Sequence, residues 1–517
     1  MPDSRTKNAS RNIMFGVVLR CYQIVVPFVI RTAMMYYMGL NYLGLNSLFT
    51  SVLFALSIAE LGVGSAMVYS MYLPIIEKDT KTICALLKMY RTYYRIIGAI
   101  IGAVGLALTP AIPMLVKKDV PADINLYVVY WLNLLSTVMT YWLYAYKNSL
   151  LVAHQRRDII SKITLFTNTL MYVSHFVVII FFRDYYLYLI VQIITQVLTN
   201  IITSICADKK YPDYKPEGDL PKAQVDVING KIKDLFTMKI GMVIITSADS
   251  IVISAFLGLH VLGVYQNYFM IITALLNVLL VIYDSVMSGI GDSIITETSE
   301  KNYNDLKRMT FLVLWLVGFC SAELVTMFQP FMSIWAKGEI LPFGIVIAFA
   351  VFFYVDQANQ ILVTFKDAAG IWHEDRFRPL VTAGVNLLLN VILVQFIGLY
   401  GIIFSTVFSI VVVGMPWILK NLFTTLFKRS MRSYVGKLTY YTVVTAVVTA
   451  LTYLVTNLIP TIWYSPDHAT PLTAYLYMGA KIVVCAVVSN LLFYIFFRKT
   501  KEYGAAKELA LRMIHRG

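Results

Sequence analysis

The sequence predicts an all-α, polytopic membrane protein of about fourteen transmembrane helices, and three observations carry that reading. Of its 517 residues 58% are hydrophobic and only 14% charged, and the mean hydropathy is +0.70. Apolar runs of about twenty residues, enough to cross a hydrocarbon core of about 30 Å, recur along almost the whole chain. Lysine and arginine gather in alternate connections, as they do in membrane proteins of fixed orientation. These features exclude a soluble enzyme, and the bilayer is the main solvent.

In order, the expected spans are 12–37, 47–72, 96–116, 126–149, 163–182, 185–206, 240–258, 264–288, 309–329, 342–365, 379–397, 401–425, 438–459 and 473–497. The first follows a short basic start, is too long for a signal-peptide core and has no small-residue cleavage site behind it, so it is read as retained. Cytoplasmic stretches Thr80 to Arg95 and Tyr503 to Ile514 mix apolar residues with Lys and Arg. They read either as helices lying on an anionic leaflet or as extensions of adjacent spans.

Both termini are expected in the cytoplasm. Of the 43 Lys and Arg, that orientation places only Lys117, Lys118, Arg183 and Lys337 outside and Arg20, Arg31 and Lys481 within spans. The net charge of +14 is therefore a matter of topology, and no nucleic-acid partner is implied. The five cysteines form no CxxC pair, so neither a disulfide framework nor a metal site is expected.

The polar segment that begins DKKYPDYKPEGDLPK divides six spans from eight. The expected organisation is an N-terminal lobe (1–206), a cytoplasmic linker (207–239), a second lobe (240–427) and two appended helices with a tail (428–517). An internal repeat supports two lobes, with tight-hairpin chemistry alone as the alternative source of the match. Gly39-Leu-Asn-Tyr-Leu-Gly-Leu45, between spans one and two, matches Gly258-Leu-His-Val-Leu-Gly-Val264, between spans seven and eight, and the glycines suit αL turns.

Phe28 to Ala66, FVIRTAMMYYMGLNYLGLNSLFTSVLFALSIAELGVGSA, resembles the N-terminal signature of Wzx-type polysaccharide flippases, a branch of the multidrug/oligosaccharidyl-lipid/polysaccharide exporter superfamily. Ala145 to Lys162, AYKNSLLVAHQRRDIISK, is similar to that family's fourth-helix exit and the loop after it. The resemblance implies two six-helix lobes around a cavity plus two further helices, in a bacterial cytoplasmic membrane. It also implies a cargo, an undecaprenyl-pyrophosphate-linked oligosaccharide flipped to the outer leaflet by alternating access for capsule or exopolysaccharide assembly. A proton or sodium ion is the coupling ion it allows, with no other cofactor, and polysaccharide polymerase machinery is a partner it allows beside membrane lipids.

A pyrophosphate head needs cations, and intramembrane arginines are expensive enough to demand a reason. Arg20 and Arg31 lie eleven residues apart, three turns plus about 20°, so they share one stripe of the first helix with Gln23 nearby. Arg20, deep on the cytoplasmic side, is the leading pyrophosphate contact, with an ion pair to Glu60 as the structural alternative. Arg31 either faces the cavity or reaches the outer interface. The repeat sets Lys239 opposite Arg20 as a second-lobe cation, although an inside-positive anchor at a helix mouth is its commoner role, and Lys481 is a third intramembrane cation that could pair with a carboxylate or guide the lipid. Glu60, Asp249 and Asp356 are candidates for coupling or for charge pairing. Gln192, Gln196, Asn386 and Asn390 mark polar faces that could meet sugar hydroxyls, although interhelical hydrogen bonds are the commoner role.

Two alternatives stay open. A multidrug exporter of the same superfamily would favour cations, whereas this first helix presents two arginines and no carboxylate. A membrane glycan polymerase or ligase would need a sizeable outer loop, and the longest here, Pro460 to Pro471, is short. No catalytic residue and no metal site is expected, so the chain is not read as an enzyme.

Overall fold

Apolar runs in this chain have no water to satisfy their backbone groups, and they fold as helices that close every hydrogen bond internally. The computed structural model describes residues 19, 22–23, 25–60, 62–467 and 471–514, with side chains at all of these but 59, 234, 237, 238 and 509–514. Among them, 11 helices are long and apolar enough to cross a membrane, or 12 if one bent pair counts as a single span. The chain divides into two compact units, Met1–Gly263 and Val264–Gly517.

Among the described residues, unit 1 begins with α1 (Val25–Tyr37) and α2 (Leu40–Leu56), of which α2 is shorter than a full span. The expected second span is broken. After α2 a 3-10 turn, Ser57–Glu60, and Gly62 in the left-handed region (φ 92°) restart the chain as α3 (Val63–Glu77). Only glycine fits at Gly62, where a Cβ would sit 2.6 Å from the Cβ of Leu235. The break therefore lets α9 (Lys222–Leu257) pack directly on the turn.

α4 (Thr80–Leu108) is one helix of 29 residues, so the stretch Thr80 to Arg95 extends the third span and is not a separate surface helix. Asp79 caps it, accepting from the backbone N–H of Thr82 at 3.1 Å. Glycines at 98 and 105 bring α4 against α5 (Leu126–Trp142), where the Tyr130 hydroxyl donates to the Gly105 carbonyl at 2.7 Å. α5 then bends by 50° into α6 (Tyr146–Ala153), with Tyr144 at φ 59° in the joint. α7 (Arg157–Val177) and α8 (Tyr185–Lys210) complete the set, locked by His175 stacked on Tyr188 at 3.8 Å.

The expected 207–239 linker is largely structured. Lys147 pairs with Asp208, Lys88 with Asp219 at 2.9 Å, and His154 stacks on Tyr211 at 4.2 Å. From Lys222 the chain is already α9, which runs without interruption through the seventh span.

The repeated hairpins supply the unit's most exact internal match. Gly39 and Gly258 share one backbone conformation, φ 106° ψ 170° and φ 104° ψ 170°, a region open to glycine alone and not the αL turn expected from sequence. Each glycine stands at the start of a new helix, so the chain reverses with almost no loop. Gly44 lies on the backbone of Leu259, where a Cβ would be 2.0 Å from the carbonyl oxygen; Gly263 lies on Leu40, where the distance would be 2.4 Å. The two copies are thus packed crosswise against each other.

Unit 2 takes in most of α10 (Leu259–Thr296), then α11 (Ser299–Trp335), α12 (Phe343–Ala368), α13 (Arg378–Ile397), α14 (Leu399–Phe408) and α15 (Met415–Asn421). α14 and α15 form a single apolar span through wider π turns. The last two spans, α16 (Arg432–Thr456) and α17 (Leu472–Phe497), pack on α11. Gly318 makes room for Phe493 and Thr445, and the Trp315 indole donates to Asn490 at 2.9 Å. A final helix, α18 (Lys501–Ile514), is pinned by Glu502 to Lys437.

Candidate functional site: a polar cavity in the first unit

Broken helices inside a membrane protein are tolerated where they line a cavity, because freed backbone groups must meet water, side chains or ligand. That holds at Glu60. The 3-10 turn carries it to the edge of a cavity of about 500 Å³ whose wall also includes Tyr90, Tyr94, Asn148, Gln196, Asn200 and Lys239. Every lining residue belongs to unit 1.

Each wall follows from local sequence. Tyr90 and Tyr94 are one turn apart on α4, so both rings face the same way. The Tyr90 hydroxyl donates to that of Tyr94, which donates to Glu60 Oε1, each at 2.8 Å. Gly64 keeps the place open, since a Cβ there would lie 3.1 Å from the Tyr90 hydroxyl. The α5–α6 bend turns Tyr141, Tyr144 and Asn148 inward, and α8 adds Gln196, Thr199, Asn200 and Thr203 at helical spacing.

Among the described residues the cavity wall carries one carboxylate, Glu60, and one ammonium, Lys239. Lys239, on α9, is near enough for its charge to act on Glu60, yet forms no ion pair among the described residues. Glu60 already accepts from Tyr94. Asn200 donates weakly to the Thr140 carbonyl at 3.4 Å, whereas the amides of Asn148 and Gln196 have no hydrogen bond among the described residues. The wall is therefore rich in hydroxyls, ring faces and uncommitted amides around a single ammonium.

Of the residues singled out in the sequence, the structure brings Glu60, Lys239 and Gln196 into this cavity. Arg20 lies outside the described residues. Arg31 donates to the Gly263 carbonyl at 3.3 Å, tying α1 to the second hairpin. Gln23, ahead of α1, is exposed, and Gln192 is half-buried on α8 without lining the cavity. Asp249 is half-buried on α9 and likewise absent from the wall.

The remaining candidates belong to unit 2. Asp356 accepts from Gln357 at 2.9 Å, and Gln357 in turn accepts from Tyr283 at 3.0 Å. Asn386 and Asn390 are fully buried: Asn386 donates to Thr406 at 2.9 Å and Asn390 accepts from Ser405, so both amides clamp α13 to α14. Lys481 is buried and donates to Thr461 at 2.6 Å. Sequence reasoning missed Tyr90 and Tyr94, whose signal was their i, i+4 spacing in a stretch read either as a leaflet-bound helix or as an extension of the third span. No group of three or more His, Cys, Asp or Glu among the described residues could hold a metal.

The architecture matches solved transporters. The lipid II flippase MurJ in an inward closed conformation superposes with a TM-score of 0.64 at 14% identity, over 94% of this chain and 99% of that one. An inward-facing multidrug resistance MATE family transporter of the MOP superfamily gives 0.61 at 14% identity, over 80% of this chain and 99% of that one. An outward-facing MATE transporter gives 0.52 at 14% identity, over 82% and 97%. No protein-family model and no curated protein matches the sequence. What the chain shares with these proteins is the fold, that of MOP-superfamily transporters and flippases.

Proposed function

We propose that this protein is a flippase for an undecaprenyl-pyrophosphate-linked oligosaccharide, carrying it from the inner to the outer leaflet of a bacterial cytoplasmic membrane for surface polysaccharide assembly. One observation carries the reading. Among the described residues, the unit 1 cavity offers an ammonium without an ion pair, amides without hydrogen bonds and tyrosine faces, while its one carboxylate is already held by Tyr94. Phosphate oxygens suit Lys239 through charge-assisted bonds, and sugar hydroxyls suit Asn148, Gln196 and the tyrosines. A cationic drug would need an uncommitted carboxylate, which makes the multidrug exporter the weaker reading.

In this scheme Lys239 and Arg20 meet the pyrophosphate, and Glu60 either holds a coupling proton or keeps Lys239 in place. A membrane potential, negative inside, favours the outward step by about 2.3 kcal/mol per charge per 100 mV. The polysaccharide polymerase machinery would receive the product.

The test is flipping of a fluorescent lipid-linked oligosaccharide in proteoliposomes. Lys239→Ala should abolish it, and Lys239→Arg should restore much of it. Full activity in Lys239→Ala, or efflux of a cationic dye by wild type without glycan flipping, would overturn the proposal.

A further inference from the structure

A second cavity, of about 490 Å³, lies in unit 2 among α11, α16, α17 and the α16–α17 connection. This is the end of the bundle away from the lysine- and arginine-rich segments. Among the described residues, Lys481 is the one charged group in its lining, and no carboxylate lines it. Only 4% of Lys481 is exposed, and Thr461 is its single hydrogen-bond partner among the described residues. An ammonium carries three donors, so two remain without an acceptor among the described residues. A buried cation left in that state is costly unless something anionic meets it.

Gln329 adds an independent signal. Its side-chain nitrogen donates to the Leu341 carbonyl at 2.6 Å, which fixes which end of the amide is oxygen. That oxygen is buried without a partner in the wall of the same cavity, and the residue is 8% exposed. An orphan acceptor beside an orphan cation asks for a ligand with both an anionic oxygen and a hydroxyl donor.

The remaining wall describes an amphiphile. Asn457 and Trp463 stand at the mouth, and Val325, Phe343 and Tyr453 are shared with an apolar groove of about 440 Å³ that runs along α12 and α16. A charged head can thus sit at Lys481 while its chain follows the groove.

We propose that the Lys481 cavity binds the hydroxyl-bearing phosphate headgroup of a lipid, with the phosphate on Lys481, a headgroup hydroxyl on Gln329 and the chain in the α12–α16 groove. An anionic glycerophospholipid of the bilayer fits, as does a lipid-linked glycan phosphate. The site stands whether or not the cavity of unit 1 carries a glycan.

The full chain, purified in detergent, is titrated with dioctanoyl phosphatidylglycerol, and binding is read from Trp463 fluorescence against a Trp463→Phe background. Wild type should prefer this probe to dioctanoyl phosphatidylcholine and, more narrowly, to dioctanoyl phosphatidylethanol, which lacks headgroup hydroxyls. Lys481→Met should weaken binding roughly tenfold, and Lys481→Arg should stay close to wild type. Gln329→Leu should leave phosphatidylethanol binding intact and erase the preference for phosphatidylglycerol. Competition by a farnesyl diphosphate disaccharide would identify the source as cargo; none would identify it as bilayer lipid. Equal affinity of wild type for phosphatidylglycerol and phosphatidylcholine, or undiminished binding by Lys481→Met, would overturn the proposal. Should Lys481→Met fail to fold, Gln329→Leu and Lys481→Arg decide it alone, and an unchanged headgroup preference in Gln329→Leu rejects it.

Discussion

The hydroxyl of Tyr94 donates to the carboxylate of Glu60 at 2.8 Å, across the break between α2 and α3. A bond to a carboxyl group in a sheltered site is worth about 1.5–3 kcal/mol when the acceptor is charged. Tyr94→Phe should therefore lower thermal stability in detergent by an amount in that range. Glu60→Gln, which keeps an acceptor, should cost less. A double-mutant cycle on the two residues measures the coupling, and additivity would show that the bond contributes nothing.

Gly44 and Gly263 tolerate no side chain. Gly44→Ala would drive a methyl group into the Leu259 carbonyl and Gly263→Ala into that of Leu40, and forced overpacking of this kind costs about 1–3 kcal/mol or more. Each variant should lose monodisperse protein in size-exclusion chromatography on heating. Gly230→Ala, where a Cβ meets nothing within 4 Å, is the matched control and should be silent.

His154 confers a pH dependence. Burial, and then the charge of Lys210, pushes its pKa down to about 4 from 6.5. Between those values the unfolded chain binds more protons than the folded one, so stability falls as pH drops from about 6.5 towards 4. Melting curves at pH 7 and pH 5 should separate in wild type and converge in His154→Phe, which keeps the stack on Tyr211.

Asn386→Leu tests whether α13 meets the cargo. The side chain is fully buried, donates to Thr406 at 2.9 Å and accepts from Asn390 at 3.4 Å, so its removal breaks both bonds and should cost about 1–3 kcal/mol of stability. Glycan selectivity among the molecules that remain folded should not move. A changed selectivity at normal stability would instead put Asn386 in the path of the sugar.

Hydropathy showed an all-helical membrane protein because each span must satisfy the same 30 Å requirement, although 11 or 12 of the described helices are long enough to cross against the fourteen expected. The break at Ser57–Glu60 escaped it, since a run of apolar residues reads alike whether its helix is continuous or interrupted. ELGVGSA held the clue in Gly62 and Gly64, but their purpose depends on Leu235 and Tyr90, which are distant in sequence. The polar composition of 207–239 suggested a free connection for the same reason. Composition records affinity for water, not the ion pairs of Asp208 and Asp219 or the early start of α9. Buried amides were the hardest to read: Gln196 lines a cavity and Asn386 a helix contact, and nothing local distinguishes them.

The crossed hairpins leave a mark on how this chain can change over time. Because Gly44 rests on Leu259 and Gly263 rests on Leu40, each copy of the repeat is the mould in which the other is cast. Neither can acquire a larger residue at its second glycine unless the facing backbone retreats, and that backbone is itself the start of the opposite copy. Two segments of matching sequence thereby lack the freedom to vary separately at this point. Elsewhere the copies differ in most positions; here, each one's sequence is the other's boundary condition.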